Sequence, residues 1–216
     1  GKNINNEKEY IWYHDHFDMK QRKIGGSTNV LGDVSFVTKG NISSKIDEEN
    51  KIISFEKNSK FGNVTFFNGK LEDWSIKFNI NVNDPYPGTD ESNLTGCLNF
   101  YDVKINNISL DLKGSNCEDS VNFVRSIGII KEIKIKDSFY DSLVADFSNL
   151  TIKNIFVERS KNDCLDFSFG EYQIENAELN LCGDKGISVG EISTVKIIET
   201  KIKNSKVGVA TKDFAE

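Results

Sequence analysis

Residues 143–189 read LVADFSNLTIKNIFVERSKNDCLDFSFGEYQIENAELNLCGDKGISV, in which the triplet Leu143-Val144-Ala145 returns as Leu165-Asp166-Phe167 and then as Ile187-Ser188-Val189. Each return comes 22 residues after the last. Outward from this stretch, Leu98-Asn99-Phe100, Val121-Asn122-Phe123 and Val209-Ala210-Thr211 join the series at steps of 22 or 23 residues, and Val64-Thr65-Phe66 reads as an earlier member. A fixed internal period of this length marks a solenoid in which one repeat is one coil.

A second series keeps step with the first. Its apolar residues are spaced i, i+3, i+5: Leu71/Trp74/Ile76, Ile105/Ile108/Leu110, Ile130/Ile133/Ile135, Ile152/Ile155/Val157, Ile174/Ala177/Leu179 and Ile197/Thr200/Ile202. Apolar-polar-apolar alternation is the mark of a short strand with its outer residues turned inward. Two such strands joined through one corner residue produce the three-residue step, because the corner resets which face points in. That corner is Asn107, Asn154 or Asn176 in three repeats and Asp73, Glu132 or Glu199 in others. Asn tolerates the left-handed backbone of a tight bend, and stacked amides can bond to one another. The spacing therefore predicts three short strands per coil, with coils about 4.8 Å apart. Side chains 22 positions apart should touch, which puts Val121, Leu143, Leu165, Ile187 and Val209 in one interior column and Phe123, Ala145, Phe167 and Val189 in the next.

This pattern, over residues 62–211, resembles the right-handed parallel β-helix, the pectate-lyase-like architecture. The resemblance implies an all-β solenoid of about 22-residue coils. A leucine-rich repeat is the main rival, since Ile174-x-x-Ala177-x-Leu179-x-x-Cys182 fits half of that consensus. Its next apolar slot falls on Tyr140, Asn162 and Asp184, so the second half fails. Composition agrees with an all-β chain: Met occurs once, and strand and turn formers dominate.

Residues 1–60 keep the repeat poorly and are expected to form an N-terminal cap and irregular first coils, with Val34-Ser35-Phe36 and Ile52-Ile53-Ser54-Phe55 as strands. Solenoid ends need such caps, and Tyr10-Ile11-Trp12-Tyr13 falls in this one. Residues 61–216 are expected to be regular coils, with a ladder that continues past Glu216 in a longer protein. Between Ile76 and Leu98 lie 21 residues, including both prolines, and between Leu110 and Val121 lie ten. The matching gap from Val157 to Leu165 holds seven. Insertions at one corner of a solenoid build a wall beside one face, where ligands commonly bind.

Charge narrows the function. The net charge is −6 and no Lys/Arg-rich run occurs, so nucleic-acid binding lacks its electrostatic driver. No apolar run approaches the length of a membrane span. Two residues before the aligned strands stand Asp119, Asp141, Asp163 and then Lys185, with Asp166 pointing outward nearby. Carboxylates stacked about 4.8 Å apart repel unless solvated, paired or bridged by a cation such as Ca²⁺. The resemblance implies two chemistries for such a cluster. Lyases of this architecture hold Ca²⁺ on acidic residues to neutralise a uronate, and the related hydrolases use clustered aspartates as acid and base. Asp141, Asp163 and Asp166 are thus the candidate catalytic residues, and Asp119, Asp141 and Asp163 the candidate calcium ligands. The plainer reading, preferred here, is a column of turn-favouring aspartates capped by Lys185. Arg159 has no second feature that would make it a base. His14 and His16, with Asp15 and Asp18 beside them, read as part of the cap rather than a metal site.

Asn99, Asn122 and Ser188 share the outward face of Asp166 and are candidate ligand-binding residues, with Tyr86 on the long insertion as a stacking platform. Trp74 occupies an interior column and reads as core. Cys97, Cys117, Cys164 and Cys182 leave two readings open: compact buried thiols at tight corners, the preferred one, or two disulfides, since each pair lies one coil apart.

The segments Asp163-x-Leu165-Asp166-Phe167-Ser168, Gly183-Asp184-Lys185-Gly186-Ile187-Ser188-Val189-Gly190 and Gly208-Val209-Ala210-Thr211-Lys212-Asp213 resemble β-helix modules of bacterial cell-surface and periplasmic proteins. Some of these accompany a domain similar to the spore-coat-H kinase-like family, whose kinase residues this chain lacks. The resemblance implies an extracellular or periplasmic location. The expected function is a non-catalytic structural or glycan-binding module of a larger exported protein, without a cofactor, with polysaccharide and the other domains of the parent chain as partners. The alternative is a polysaccharide lyase or epimerase, or a glycoside hydrolase, using the aspartates.

Overall fold

The computed structural model describes residues 24–86, 88 and 92–216, and every regular element in them is a strand. In chain order these are β1 (Asn29–Leu31), β2 (Val34–Thr38), β3 (Ile42–Asp47), β4 (Ile52–Lys57), β5 (Val64–Phe67), β6 (Lys70–Glu72), β7 (Ser75–Ile80), β8 (Gly96–Tyr101) and β9 (Lys104–Lys113). They continue as β10 (Asp119–Val124), β11 (Ile127–Ser138), β12 (Asp141–Asp146), β13 (Asn149–Ser160), β14 (Leu165–Ser168), β15 (Glu171–Cys182), β16 (Lys185–Val189), β17 (Thr194–Lys203) and β18 (Val207–Thr211). The first sheet runs β1-β2-β5-β8-β10-β12-β14-β16-β18 and the second β17-β15-β13-β11-β9-β7-β4-β3, with β6 beside β9. The chain alternates between them, climbing a parallel β-solenoid of about seven turns.

The predicted register holds. Val121 pairs with Leu143, Leu143 with Leu165, Leu165 with Ile187 and Ile187 with Val209. The first four are fully buried, while Val209, on the outermost described strand of that sheet, is 45% exposed. One column beside them stacks aromatic rings through the interior: Phe66 on Phe100 on Phe123, with centroids 5.4 and 4.7 Å apart and nearly parallel planes. Ala145 interrupts this stack. Tyr172 compensates from the facing sheet, packing 4.7 Å from Phe167 and donating its hydroxyl to the carbonyls of Ala145 and Ser168. A buried phenol needs such partners.

Two details differ from the sequence expectation. Each regular coil has two strands rather than three, because the i, i+3, i+5 segment is one long strand such as β13 or β15. Of the expected asparagine corners, only Asn107 is left-handed (φ 58°), as is Asp73 in the preceding coil (φ 61°). Asn154 and Asn176 lie inside their strands and ladder instead, Asn176 Nδ2 donating to Asn154 Oδ1 at 3.3 Å. Other left-handed corners sit at strand ends: Arg125, Phe147 and Phe169 directly after strands of the first sheet, Asp137, Arg159 and Leu181 at the penultimate residues of β11, β13 and β15, and Asn204 directly after β17. Phe147 and Phe169, one coil apart, stack their rings at 4.6 Å.

The N-terminal region is also different in kind from a coil. β1 and β2, β2 and β5, and β3 and β4 pair antiparallel, so hairpins begin the ladder. Parallel stacking starts at β4 on β7 and β5 on β8. Tyr10-Ile11-Trp12-Tyr13, His14 and His16 lie outside the described residues. Among those described, no helix is long and apolar enough to cross a membrane.

Both cysteine pairs are disulfides, Cys97–Cys117 and Cys164–Cys182, which overturns the preferred thiol reading. The reason is the stacking itself: a corner position and its neighbour one coil on bring the two Cα atoms to 5.4 Å, within disulfide range.

Candidate functional site

The aspartate column begins the strands of the first sheet. Asp119 pairs with Asp141 across β10 and β12, and Asp163 and Lys185 continue the column one coil at a time. Asp119 is 3% exposed, and its carboxyl group accepts the hydroxyl proton of Thr95, which lies just before β8. Burial raises its pKa well above the carboxylate range, more than the Thr95 bond lowers it. Asp141 is pushed up to about 6, again chiefly by burial. Its Oδ1 accepts the backbone N–H of Asp163 at 2.7 Å and the amide of Asn162 at 2.8 Å. Asp163 repeats the arrangement one coil on, accepting Lys185 N–H at 2.9 Å and the Lys185 ammonium at 3.2 Å. Asp141 and Asp163 thus tie their own coils to the next, and Asp119 ties its coil to the one before.

Lys185 ends the column. Its ammonium also lies 2.7 Å from Asp184, and these two carboxylates, Asp184 first, hold its pKa above the usual lysine value. Asp166 stands apart. Burial raises its pKa, with the Ser188 hydroxyl opposing the shift, and its Oδ1 is closed to solvent with no hydrogen-bond partner among the described residues. Three carboxyl groups of this sheet, Asp119, Asp141 and Asp166, therefore have raised pKa values, and the Asp166 charge is among those that raise Asp141. Among the described residues no group of three or more His, Cys, Asp or Glu side chains is disposed to hold a metal ion.

The candidate ligand-binding residues do not form an open face. Asn99, Asn122 and Ser188 are 0%, 2% and 1% exposed. Asn99 turns its amide back onto Gly96, accepting its N–H and donating to its carbonyl, both at 2.9 Å. Beside it lies a second apolar cluster of Leu94, Tyr101 and Val124, with Ile24 and Phe67 against it; Phe67, Tyr101 and Val124 belong to β5, β8 and β10. Sequence alternation alone missed the burial of Asn99, Asn122 and Ser188, because a strand position facing outward need not face water. Tyr86 is half-buried, edge-on to Phe61 at 5.0 Å, and its backbone bridges to Cys117. Trp74 is in the core, as expected. Arg159 is held by Asp137 and Glu158 on the surface.

Two concavities lie elsewhere. One of about 900 Å³ sits at the corner after the second sheet, beside Asn83, Ser115, Phe139 and Arg159. Another of about 440 Å³ crosses the outer face of the second sheet from β9 to β17. Lys134, Phe156 and Lys201, which line it, are residues that motif reading passed over. Their signal was present as the positions that alternate with the buried ones in the second 22-residue series.

The fold and these faces define a class: a parallel β-solenoid with a carboxylate column along one sheet and a charged groove along the other. No family model, curated protein or solved structure matches the chain.

Proposed function

We propose that the chain is a non-catalytic, glycan-binding structural module of a larger exported protein. One observation carries this reading: the carboxylates best placed for chemistry are engaged as ladder bonds, Asp141 by Asp163 N–H and Asp163 by Lys185 N–H and ammonium. Groups held this way fix coil spacing rather than wait for a substrate. Two disulfides favour an oxidising compartment, extracellular or periplasmic, in line with the resemblance to bacterial surface modules. Partners on this reading are polysaccharide and the neighbouring domains of the parent chain.

A second reading is supported by Asp166, whose Oδ1 is buried without a partner, and by Asp141, whose pKa of about 6 suits a general acid or base. It makes the chain a polysaccharide lyase, epimerase or glycoside hydrolase, with Ca²⁺ on two of Asp119, Asp141 and Asp163 in the lyase case. Incubation with neutral and uronate polysaccharides, with and without Ca²⁺, separates the two. The module reading expects retention on at least one polymer with no unsaturated product and no new reducing ends. Turnover that disappears in Asp141→Asn and Asp166→Asn would overturn it in favour of the enzyme.

A further inference from the structure

The outer face of the second sheet differs in charge from that of the first. Along the first sheet stand Asp141 in one coil and Asp163 and Asp166 in the next. Along the second, the groove of about 440 Å³ spans five strands, a length of about 19 Å at the strand spacing. Lys113, Lys134, Lys136, Lys201 and Lys203 line it against three carboxylates, Asp111, Glu158 and Glu178, on a chain whose overall charge is −6. Register explains the grouping. Lys134 pairs with Phe156, Phe156 with Glu178 and Glu178 with Lys201, so the groove floor is one row of side chains a coil apart.

Two of the lysines are engaged, Lys134 with Glu132 at 2.7 Å and Lys136 with Glu158 at 3.3 Å. Lys113, Lys201 and Lys203 form no ion pair with any described residue, Lys113 at one end of the groove and Lys201 and Lys203 at the other. Between them Phe156 is half-buried, with the Lys134 ammonium 5.8 Å from its ring centroid. An aromatic ring in a row of hydrogen-bonding side chains, with cations at both ends, matches a linear sugar polymer bearing negative groups.

Resting on the glycan-binding reading above, we infer that the outer groove of the second sheet binds a linear anionic polysaccharide, lysines pairing with its carboxylate or sulfate groups and Phe156 supporting a sugar face. The polymer lies along the solenoid axis, across the strands, where the cationic residues recur coil by coil.

Titration calorimetry of the 216-residue chain with polygalacturonate, a heparin-type sulfated polymer and neutral dextran tests this. Binding is expected for the anionic polymers, stronger for whichever charge group is the ligand, and weakened by salt. The double variant Lys201→Glu, Lys203→Glu should lower affinity at least about tenfold, because reversing two exposed charges replaces attraction with repulsion. Both positions are at the surface, so the melting temperature should hold. Phe156→Ala should weaken binding several-fold with the salt dependence kept. Anionic binding untouched by these variants overturns the groove and leaves glycan binding standing. Binding of dextran alone overturns the anionic class. No binding to any polymer overturns both this inference and the function on which it rests.

Discussion

Lys57 Nζ lies 2.7 Å from Asn116 Oδ1, at a point wholly closed to solvent. The same ammonium is 3.5 Å from Cys117 Sγ and 3.8 Å from Cys97 Sγ. Asn116 in turn donates its amide to the carbonyls of Lys60 and Asp84. One buried lysine therefore joins β4, the first disulfide and the long insertion. The insertion then runs on to Thr95, which bonds Asp119. A buried charge is costly, and here burial lowers the lysine pKa to about 8.

The sign of the pH effect follows. The folded pKa lies below the unfolded value, so the neutral amine is favoured in the fold. Stability should then rise between about pH 8 and 10.5, by up to about 3 kcal/mol. Thermal unfolding of the native chain and of Lys57→Met over this range measures it. The rise is expected in the native chain and absent from the variant, measured as the difference between their two curves. Parallel curves would remove Lys57 as its source.

Column position and burial make separate predictions. Leu165 and Val209 occupy the same repeat position, yet one is fully buried and the other 45% exposed. Leu165→Ala should cost about 2–5 kcal/mol, whereas Val209→Ala should change stability by less than about 1 kcal/mol. Phe123→Ala, which breaks the ring stack, belongs with the large effects at about 3–5 kcal/mol. Urea unfolding of the three variants reads all of these, and equal losses at Leu165 and Val209 would contradict the stack.

The disulfides predict a mass and a stability. Alkylation without reductant should leave all four cysteines unmodified, and reduction should expose all four. Replacing Cys164 and Cys182 by Ser removes a cross-link 18 residues apart in sequence, worth about 3 kcal/mol in the chain-entropy account. Chemical denaturation gives the loss, and a free thiol in the unreduced chain would count against the pairing.

Much of this fold is written in the spacing. Register could be read because Val121, Leu143 and Leu165 recur at a fixed step and a parallel ladder places equal positions in contact. The corners were harder. Left-handed backbone was expected at Asn154 and Asn176, whereas Arg125, Phe147 and Phe169 adopt it. Those corners are set by how consecutive coils stack, which overrides the preference of any one side chain. The aspartate column was visible at its 22-residue step, but its bonding was not. Which carboxylate oxygen meets which backbone N–H depends on coil-to-coil offset. Lys57 gave no signal at all, since a lysine at a strand end ordinarily reaches water.

Asp141 supplies the test of the column. Its folded pKa of about 6 lies above the unfolded value near 4, so the proton is held more tightly in the fold. The contribution is complete below about pH 4 and is lost as pH rises through about 6, at most about 3 kcal/mol. Asp141→Asn keeps an oxygen for Asp163 N–H and cannot ionise. Its stability relative to the native chain should therefore improve between pH 4 and pH 7, whatever the other carboxylates contribute to both proteins. Paired melting curves at those two pH values decide it. A relative stability that stays flat would mean that Asp141 is not strained by its burial, and that the ladder holds an ordinary carboxylate.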